Sequence, residues 1–298
     1  MLARLSLLVL FLISFSVYAQ FNFDVDKILE KLISPIQSDR PGQAFNPTTC
    51  GIAAIQIQSG FSYSRYNSGI DSNWKNYYIP TTIRLGFTRK WEFNSSFYYN
   101  YNNWSTFAGP VKSSGFQSPE IGIRYAFMKG DGWKPFMALQ SNLSFLSHRG
   151  DYQQQQFGSS FLLSTSNRFN VLSINTNIGI KFLGTGNMNP VIPYVVNFGF
   201  NLGEKWSMFA EGFGQFSTSG IAPTINTDAG LAFTPTKLIQ LDLFGGWLGG
   251  FSSGATEHWF VELGVSYKIS LMKYFAKKKI EEFKKGNFGN FGGFNFGG

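Results

Sequence analysis

Charged residues are scarce in this chain, and several stand singly inside stretches where large apolar residues alternate with small or polar ones. Only 14% of the 298 residues are charged, whereas a soluble protein has about 25%. Successive side chains of an extended strand point to opposite faces, so each isolated charge shares a face with small and polar residues. The predicted inward-facing charges are the basic residues Arg84, Arg124 and Lys181 and the acidic residues Glu120, Glu211, Asp228, Asp242 and Glu262.

These charges predict recognition of polar solutes in an enclosed passage. Except for Glu120, the basic residues precede the acidic ones along the chain, so in a closed cylinder the two sets would lie on largely opposite walls. A field across a narrow lumen selects polar or zwitterionic solutes. An equally consistent interpretation is that the charges pair with one another and only stabilise the interior.

A further pair of opposite charges, Asp39-Arg40, precedes the first alternating stretch. Ahead of it, residues 24–34 have apolar residues at helical spacing, with acids early and lysine later, which predicts a short helix. We expect this helix at the mouth of the lumen. Asp39 and Arg40 would then pair with inward charges, and the segment would act as a plug; a plain linker is the alternative.

Catalysis, metal binding and cofactor binding are not predicted. The two histidines, His148 and His258, have Ser147 and Ser252 near them in sequence, but nothing indicates the orientation that a catalytic triad needs. No His, Cys or carboxylate residues have the spacing of a metal site. Cys50 is the only cysteine, which excludes an internal disulfide.

Antiparallel strands are the predicted elements that carry these side chains. From residue 52 onward, alternating stretches are separated in turn by short polar turns and longer polar loops, which is typical of successive hairpins. The predicted strands cover residues 52–64, 77–88, 91–101, 118–128, 134–147, 156–166, 171–183, 190–202, 205–217, 224–234, 237–248 and 256–269.

The composition favours a barrel that spans a membrane over a soluble β-sandwich. Aromatic residues make up 18% of the chain and cluster beside the predicted turns, as interfacial girdles do. Open strand edges would leave backbone groups unpaired in a bilayer, so the strands must close. The predicted fold class is all-β: a closed up-and-down antiparallel transmembrane β-barrel of about 12 strands.

The N-terminus indicates export. One basic residue, an apolar run over residues 5–15 and a small residue at position 19 predict a signal peptide, residues 1–19, cleaved after Ala19. With an even strand number and short turns at one end, both termini are predicted to be periplasmic and the barrel to lie in the outer membrane of a Gram-negative bacterium, surrounded by lipid. A nucleic-acid partner is therefore not predicted, despite the net charge of +8.

The C-terminal residues 271–298 are basic, with six Lys and two Glu. Residues 271–285 predict a short lysine-rich helix, and residues 286–298 form a low-complexity tail rich in Gly, Phe and Asn. This part of the chain is either an arm that docks to a periplasmic or outer-membrane protein or a solvated extension.

Two segments carry a family resemblance. Residues 37–43 (Gln-Ser-Asp-Arg-Pro-Gly-Gln) and residues 55–63 resemble the start of the MetA-pathway-of-phenol-degradation family of outer-membrane barrels. That family has a Ser/Thr-Asp-Arg-Pro stretch before its first strand, where Gln58 here replaces the usual Glu. The similarity continues as strand, basic turn and strand to about residue 269, and it implies a porin-like transporter.

The predicted organisation is a signal peptide (1–19), a periplasmic segment and possible plug (20–51), an outer-membrane barrel (52–270) and a C-terminal helix and tail (271–298). The predicted function is that of a passive outer-membrane transporter, a porin-like channel for small solutes with a charged lumen, and not an enzyme. The alternative is a structural accessory subunit of a larger outer-membrane complex that docks through residues 271–298.

Overall fold

A computed structural model describes residues 34–67, 73–106, 109–147, 151–152, 154–184, 189–219, 223–249, 257–271, 274, 275 and 278. The chain divides into two compact units, Ser34–Met272 and the combination of Met1–Ile33 with Lys273–Gly298. In the second unit, Tyr274, Phe275 and Lys278 have helical backbone. The predicted signal peptide, the predicted helix before Ser34 and the glycine-rich tail lie outside the described residues.

The first unit is a closed antiparallel barrel, which confirms the predicted fold. Its strands, in chain order, are β1 (Ala54–Asn67), β2 (Asn73–Gly86), β3 (Trp91–Thr106), β4 (Gly109–Phe116), β5 (Glu120–Met128), β6 (Gly132–Ser144), β7 (Gly158–Phe169), β8 (Leu172–Phe182), β9 (Val191–Asn201), β10 (Trp206–Ser217), β11 (Thr224–Thr236), β12 (Ile239–Leu248) and β13 (Glu257–Ser270). Neighbours in sequence pair with each other, except that β4 and β5 both pair with β3, and β1 pairs with both β2 and β13. The described strands therefore close into a ring of twelve positions.

The twelve positions in the ring contain thirteen strands because β4 and β5 together occupy one of them. β4 pairs with the far half of β3 and β5 with its near half, and the register shifts by one residue between them. Pro119 lies in the break, where its lack of an N–H group interrupts the hydrogen-bonding pattern. Residues 109–116 were not among the predicted strands, and this stretch has little apolar alternation.

The two ends of the barrel differ. At one end, here called the short-turn end, the described connections are residues 87–90, 129–131, 170–171, 202–205 and 237–238. The start of β1 and the end of β13 lie at the same end, where Ala54 is paired with Ser270. The connections at the opposite, long-loop end are longer, apart from the tight link between β3 and β4.

The two faces of the sheet have opposite polarity. Outward side chains are large and apolar, for example Phe61, Phe161 and Leu263, which are 49%, 55% and 57% exposed. Aromatic residues lie near both rims, such as Trp206 against Phe233 with ring centroids 4.5 Å apart. The buried side chains of the strands are mostly polar and face inward. This inversion of the usual core is the pattern of a transmembrane barrel.

No helix in the described part of the chain is both long and apolar enough to cross a bilayer.

Candidate functional site

The barrel interior contains residues 34–53, which we call the lumen segment. It enters at the short-turn end, where Ile36 N donates a hydrogen bond to Lys237 O at 2.8 Å. Nearby, the buried Lys268 ammonium donates to Ser34 O at 2.9 Å. The segment reaches the wall formed by β8 to β10 and returns to β1, so it crosses the lumen and folds back.

Asp39 lies among three buried charged side chains of the wall, which together we call the Asp39 cluster: Asp39, Arg84, Glu92 and Arg124. Arg124 binds both carboxylate oxygens of Asp39, at 2.7 and 3.1 Å. Arg84 is 3.4 Å from the same carboxylate and makes two hydrogen bonds to Glu92, at 2.7 and 2.9 Å. The two guanidinium groups are thus balanced by two carboxylates, only one of which belongs to the barrel wall.

The backbone of the lumen segment completes this cluster. Arg84 donates to Gln37 O at 2.6 Å and to Thr48 O at 3.0 Å, and Cys50 N donates to Glu92 at 2.6 Å. The cluster therefore contacts the segment before and after its crossing. Burial and the neighbouring Glu92 raise the pKa of the Cys50 thiol to about 12, so this thiol is inert at neutral pH.

The electrostatics of Asp39 favour its ionised form. Burial alone would raise the pKa of this carboxyl, but Arg124 and Arg84 outweigh burial and hold the pKa below its usual value. Asp39 also accepts a hydrogen bond from Asn46 N at 2.9 Å, which ties the outgoing limb of the segment to the returning one.

Arg40 points to the opposite side of the segment, into a site made entirely by the barrel wall. Its Nη2 is 2.8 Å from Asp242 Oδ1, and its Nη1 is 2.5 Å from Glu262 Oε1. The guanidinium carbon lies 5.6 Å from the centroid of the Phe244 ring, within range of a cation–π interaction. Burial lowers the pKa of Arg40, but the two carboxylates more than compensate and raise it.

Two glycines make room for the Arg40 guanidinium. Gly60 of β1 and Gly264 of β13 are cross-strand partners. A Cβ on Gly60 would lie 2.7 Å from Arg40 Nη1, and one on Gly264 would overlap both Arg40 and Asp242. Asp242, Glu262, Phe244, Gly60 and Gly264 are together called the Arg40 site.

A tight bend follows Arg40. Gly42 has φ +90°, and a Cβ there would lie 2.7 Å from the Phe209 ring, so both conformation and space require glycine. Beyond the bend, Gln43 N donates to Glu211, and Phe45 N donates to Asn177 Oδ1 at 2.8 Å. These contacts hold the segment to the wall at β10 and β8.

The crossing separates two cavities. One, of about 230 Å³, is lined by Tyr78, Tyr98 and Glu120 on the side of the long loops. The other, of about 160 Å³, is lined by Ser173 and Asn201 close to the short turns. Asp39, Arg40 and Phe45 line both cavities, so the segment stands between them.

All eight charges predicted to face inward lie on the inner face of the barrel. Six are buried and two are partly exposed, namely Glu120 and Lys181, whose charged groups are 4.0 Å apart. Arg84 and Arg124 belong to the Asp39 cluster, and Asp242 and Glu262 to the Arg40 site. Glu211 binds the lumen segment. The Asp228 carboxylate is buried, and neither of its oxygens has a hydrogen-bond partner among the described residues.

Two buried inward charges, Glu92 and Lys268, are not among the predicted ones. Glu92 stands between Trp91 and Phe93, and Lys268 between Tyr267 and Ile269, so strict alternation could have found both. Glu92 offsets part of the positive charge of Arg84 and Arg124, because it places a carboxylate beside these two residues.

A cluster of inward phenylalanines was also missed. These residues, Phe209, Phe244 and Phe260, are packed together on β10, β12 and β13. Alternation gave no signal for them, because phenylalanine is common on both faces of this barrel.

The described residues contain no group of three or more His, Cys, Asp or Glu side chains arranged to hold a metal ion. His258 lies at the long-loop end, with its ring 5.6 Å from that of Tyr66. His148, the other histidine considered as a catalytic residue, lies outside the described residues.

Comparison with solved structures identifies the fold class. The chain is similar to an outer-membrane channel from Pseudomonas putida F1, with a TM-score of 0.58 and 9% identity over 77% of this chain and 100% of that one. It is also similar to the beta domain of the Bordetella autotransporter BrkA, with a TM-score of 0.50 and 15% identity over 73% of this chain and 100% of that one. No protein-family model and no curated protein matches the sequence. The fold is that of an outer-membrane β-barrel.

Proposed function

We propose that this protein is a passive outer-membrane channel for small polar solutes and that the lumen segment closes it. The observation that carries the proposal is the position of Asp39-Arg40. This dipeptide stands between two cavities, and each of its charges binds wall residues of the opposite sign. The resemblance of residues 36–269 to a transporter-like barrel family supports the same role.

A charged contact suits a closure that must reopen. In the closed state Asp39 and Arg40 are nearly buried, with side chains 10% and 11% exposed, and are paired with wall charges. A buried charge that loses its partner and stays dry is costly, by about 3–5 kcal/mol. When the segment leaves, water enters the lumen and hydrates both sets of charges, so neither state contains an unsolvated, unpaired ion.

The lumen that opens would be lined by charges and amides. Arg124, Gln140 and Asn142 are adjacent on β5 and β6 and face the larger cavity. Glu120 and Lys181 stand nearer the long-loop mouth. Such a lining favours polar solutes over apolar ones. We assign the short-turn end to the periplasm because outer-membrane barrels have short periplasmic turns, and the lumen segment then enters from that side.

The test is single-channel conductance of the purified protein in a planar bilayer, with and without residues 21–45. The deletion leaves every strand intact and removes Asp39 and Arg40. We expect a small or intermittent current for the full chain and a steady, larger current for the deletion variant. Lys181→Gln, which removes a lumen charge outside both contact clusters, should leave closure unchanged.

The opposite result has a defined meaning. If both proteins fold, as shown by heat-dependent migration in detergent gels, and neither conducts, the channel proposal is wrong. The accessory-subunit alternative, with docking through residues 271–298, would then be preferred and would be examined by co-purification of partners.

A further inference from the structure

Arg40 is held by the barrel in the way that a protein holds a cationic ligand. Its guanidinium makes charged hydrogen bonds to two carboxylates, Asp242 and Glu262, and lies against an aromatic ring. Guanidinium and ammonium ligands are commonly recognised by this combination of carboxylate and aromatic surface. Arg40 itself belongs to the lumen segment and not to any strand.

The residues that receive Arg40 all belong to the sheet. Asp242 and Phe244 are on β12, Glu262 and Gly264 are on β13, and Gly60 is on β1. Backbone pairing fixes these three adjacent strands in register. The Arg40 site therefore persists, with its two carboxylates unpaired, whenever the lumen segment moves away.

A second acidic group lies along the same wall. Asp242, Phe244 and Gly246 follow one another on the inner face of β12, and Asp228 of β11 is the cross-strand partner of Gly246. The position of Asp228 is thus about 13 Å from that of Asp242 along the strand direction, at ~3.3 Å per residue. Asp228 is only 5% exposed, and both its carboxylate oxygens lack a hydrogen-bond partner in the described part of the chain. Asp228 is also the cross-strand partner of Glu211, so two carboxyl groups meet at this point, where a shared proton or a bound cation would offset their repulsion.

We propose that this acidic wall is a binding site for organic cations and that Arg40 occupies it as an intramolecular competitor. The proposal rests on the proposed function, since a solute passing through the lumen reaches the wall only when the Arg40 side chain is displaced or removed. The expected ligand carries a guanidinium or primary ammonium group that binds Asp242 and Glu262. Its aliphatic chain lies along Phe244, and a second cationic group reaches toward Asp228.

The competition has a measurable consequence. A tethered ligand acts at an effective concentration in the millimolar range, so the wild-type site should bind free cations weakly. Removing the Arg40 side chain should expose the site and increase the affinity. Anionic and zwitterionic solutes of the same length should gain nothing, because their carboxylates would face Asp242 and Glu262.

The experiment is isothermal titration calorimetry of the folded barrel in detergent with agmatine, which carries a guanidinium and an ammonium group on a short aliphatic chain. Arg40→Ala should bind agmatine at least about tenfold more tightly than the wild type. Asp242→Asn with Glu262→Gln, in the Arg40→Ala background, should abolish that gain. Lys129→Gln in the same background, which removes a positive charge from an exposed short turn outside the lumen, is the matched control and should retain it.

A second comparison tests Asp228. Butylguanidine has the same guanidinium and aliphatic chain but no ammonium group, so it should bind more weakly than agmatine to Arg40→Ala. Asp228→Asn should remove the difference. Equal binding of both compounds, before and after this substitution, would overturn the role given to Asp228.

A measurement on the wild-type chain guards against misfolding of the variants. Saturating agmatine should displace Arg40 and increase the rate at which Cys50 reacts with a maleimide. No agmatine binding to a folded Arg40→Ala barrel, together with no change at Cys50, would overturn the inference. Calorimetry does not depend on conductance, so the two proposals can fail separately. If the barrel conducts but does not bind agmatine, only the proposed cation site is refuted. A barrel that binds agmatine without conducting refutes only the channel.

Discussion

Exchanging the two charges of the lumen segment is the most direct test of how the lumen is closed. The double substitution Asp39→Arg, Arg40→Asp keeps the composition and net charge of the chain. It places a positive charge against Arg84 and Arg124 and a negative charge against Asp242 and Glu262. The contacts that now hold the segment, at 2.5–3.4 Å, would become repulsive.

The magnitude follows from the two clusters. A hydrogen bond to a charged group contributes about 1.5–3 kcal/mol to stability. Taking one such contribution from Asp39 and one from Arg40, closure should weaken by about 3–6 kcal/mol. At 1.4 kcal/mol per factor of ten, the ratio of closed to open channel should fall by about 100- to 20,000-fold. Hydration of the displaced charges keeps the effect below that of a dry, broken ion pair.

The assay is open probability in single-channel recordings, with the barrel's folding verified by heat-dependent gel migration. The exchanged variant should remain open at voltages where the wild type is closed. Combining Arg40→Asp with Asp242→Arg restores one attractive pair and should recover part of the closure. Unchanged gating in a folded exchanged variant would refute the view that these ion pairs hold the segment in the lumen.

Three further predictions concern the same segment. Gly60→Ala should destabilise the closed state by about 1–3 kcal/mol, the usual cost of overpacking, and so raise the open probability. Gly212→Ala is the control and should not, because a Cβ there meets nothing closer than 4.0 Å. Equal gating of the two variants would contradict the tight fit at Arg40. Because the pKa of Asp39 is held below its usual value, its contribution to closure is complete at neutral pH. That contribution is lost only as the pH falls through this lowered pKa, below about 4, so the difference in open probability between the wild type and Asp39→Asn should be constant from pH 7 to about 5. Asp39→Asn should lack the part of the acid response that Asp39 contributes, and an identical acid response in that variant would count against this assignment. Cys50, which is fully buried, should resist an impermeant maleimide in the wild type and react at least about tenfold faster in the charge-exchanged variant, a rate difference measurable by mass spectrometry.

The barrel itself could be predicted from the sequence because its determinants are local. Alternation in a strand has a period of two and assigns each residue to a face, so Arg124 and Asp242 could be placed inward from their neighbours alone. Short polar turns could be recognised as hairpin connections because their signal is also local in the sequence. Where the local pattern is weak, as in residues 109–116, the strand was missed.

The arrangement inside the lumen was decided by the tertiary structure. The sequence predicted that Asp39 and Arg40 would meet charges, but not that Asp39 would meet Arg84 and Arg124 while Arg40 meets Asp242 and Glu262. Those partners lie 45 to 222 positions away along the chain, and closure of the ring is what brings their strands around one segment. The same closure placed Gly60 opposite Gly264 and made the space that receives Arg40. Periodicity reports which face a side chain is on, whereas only the three-dimensional path of the chain determines what lies opposite it.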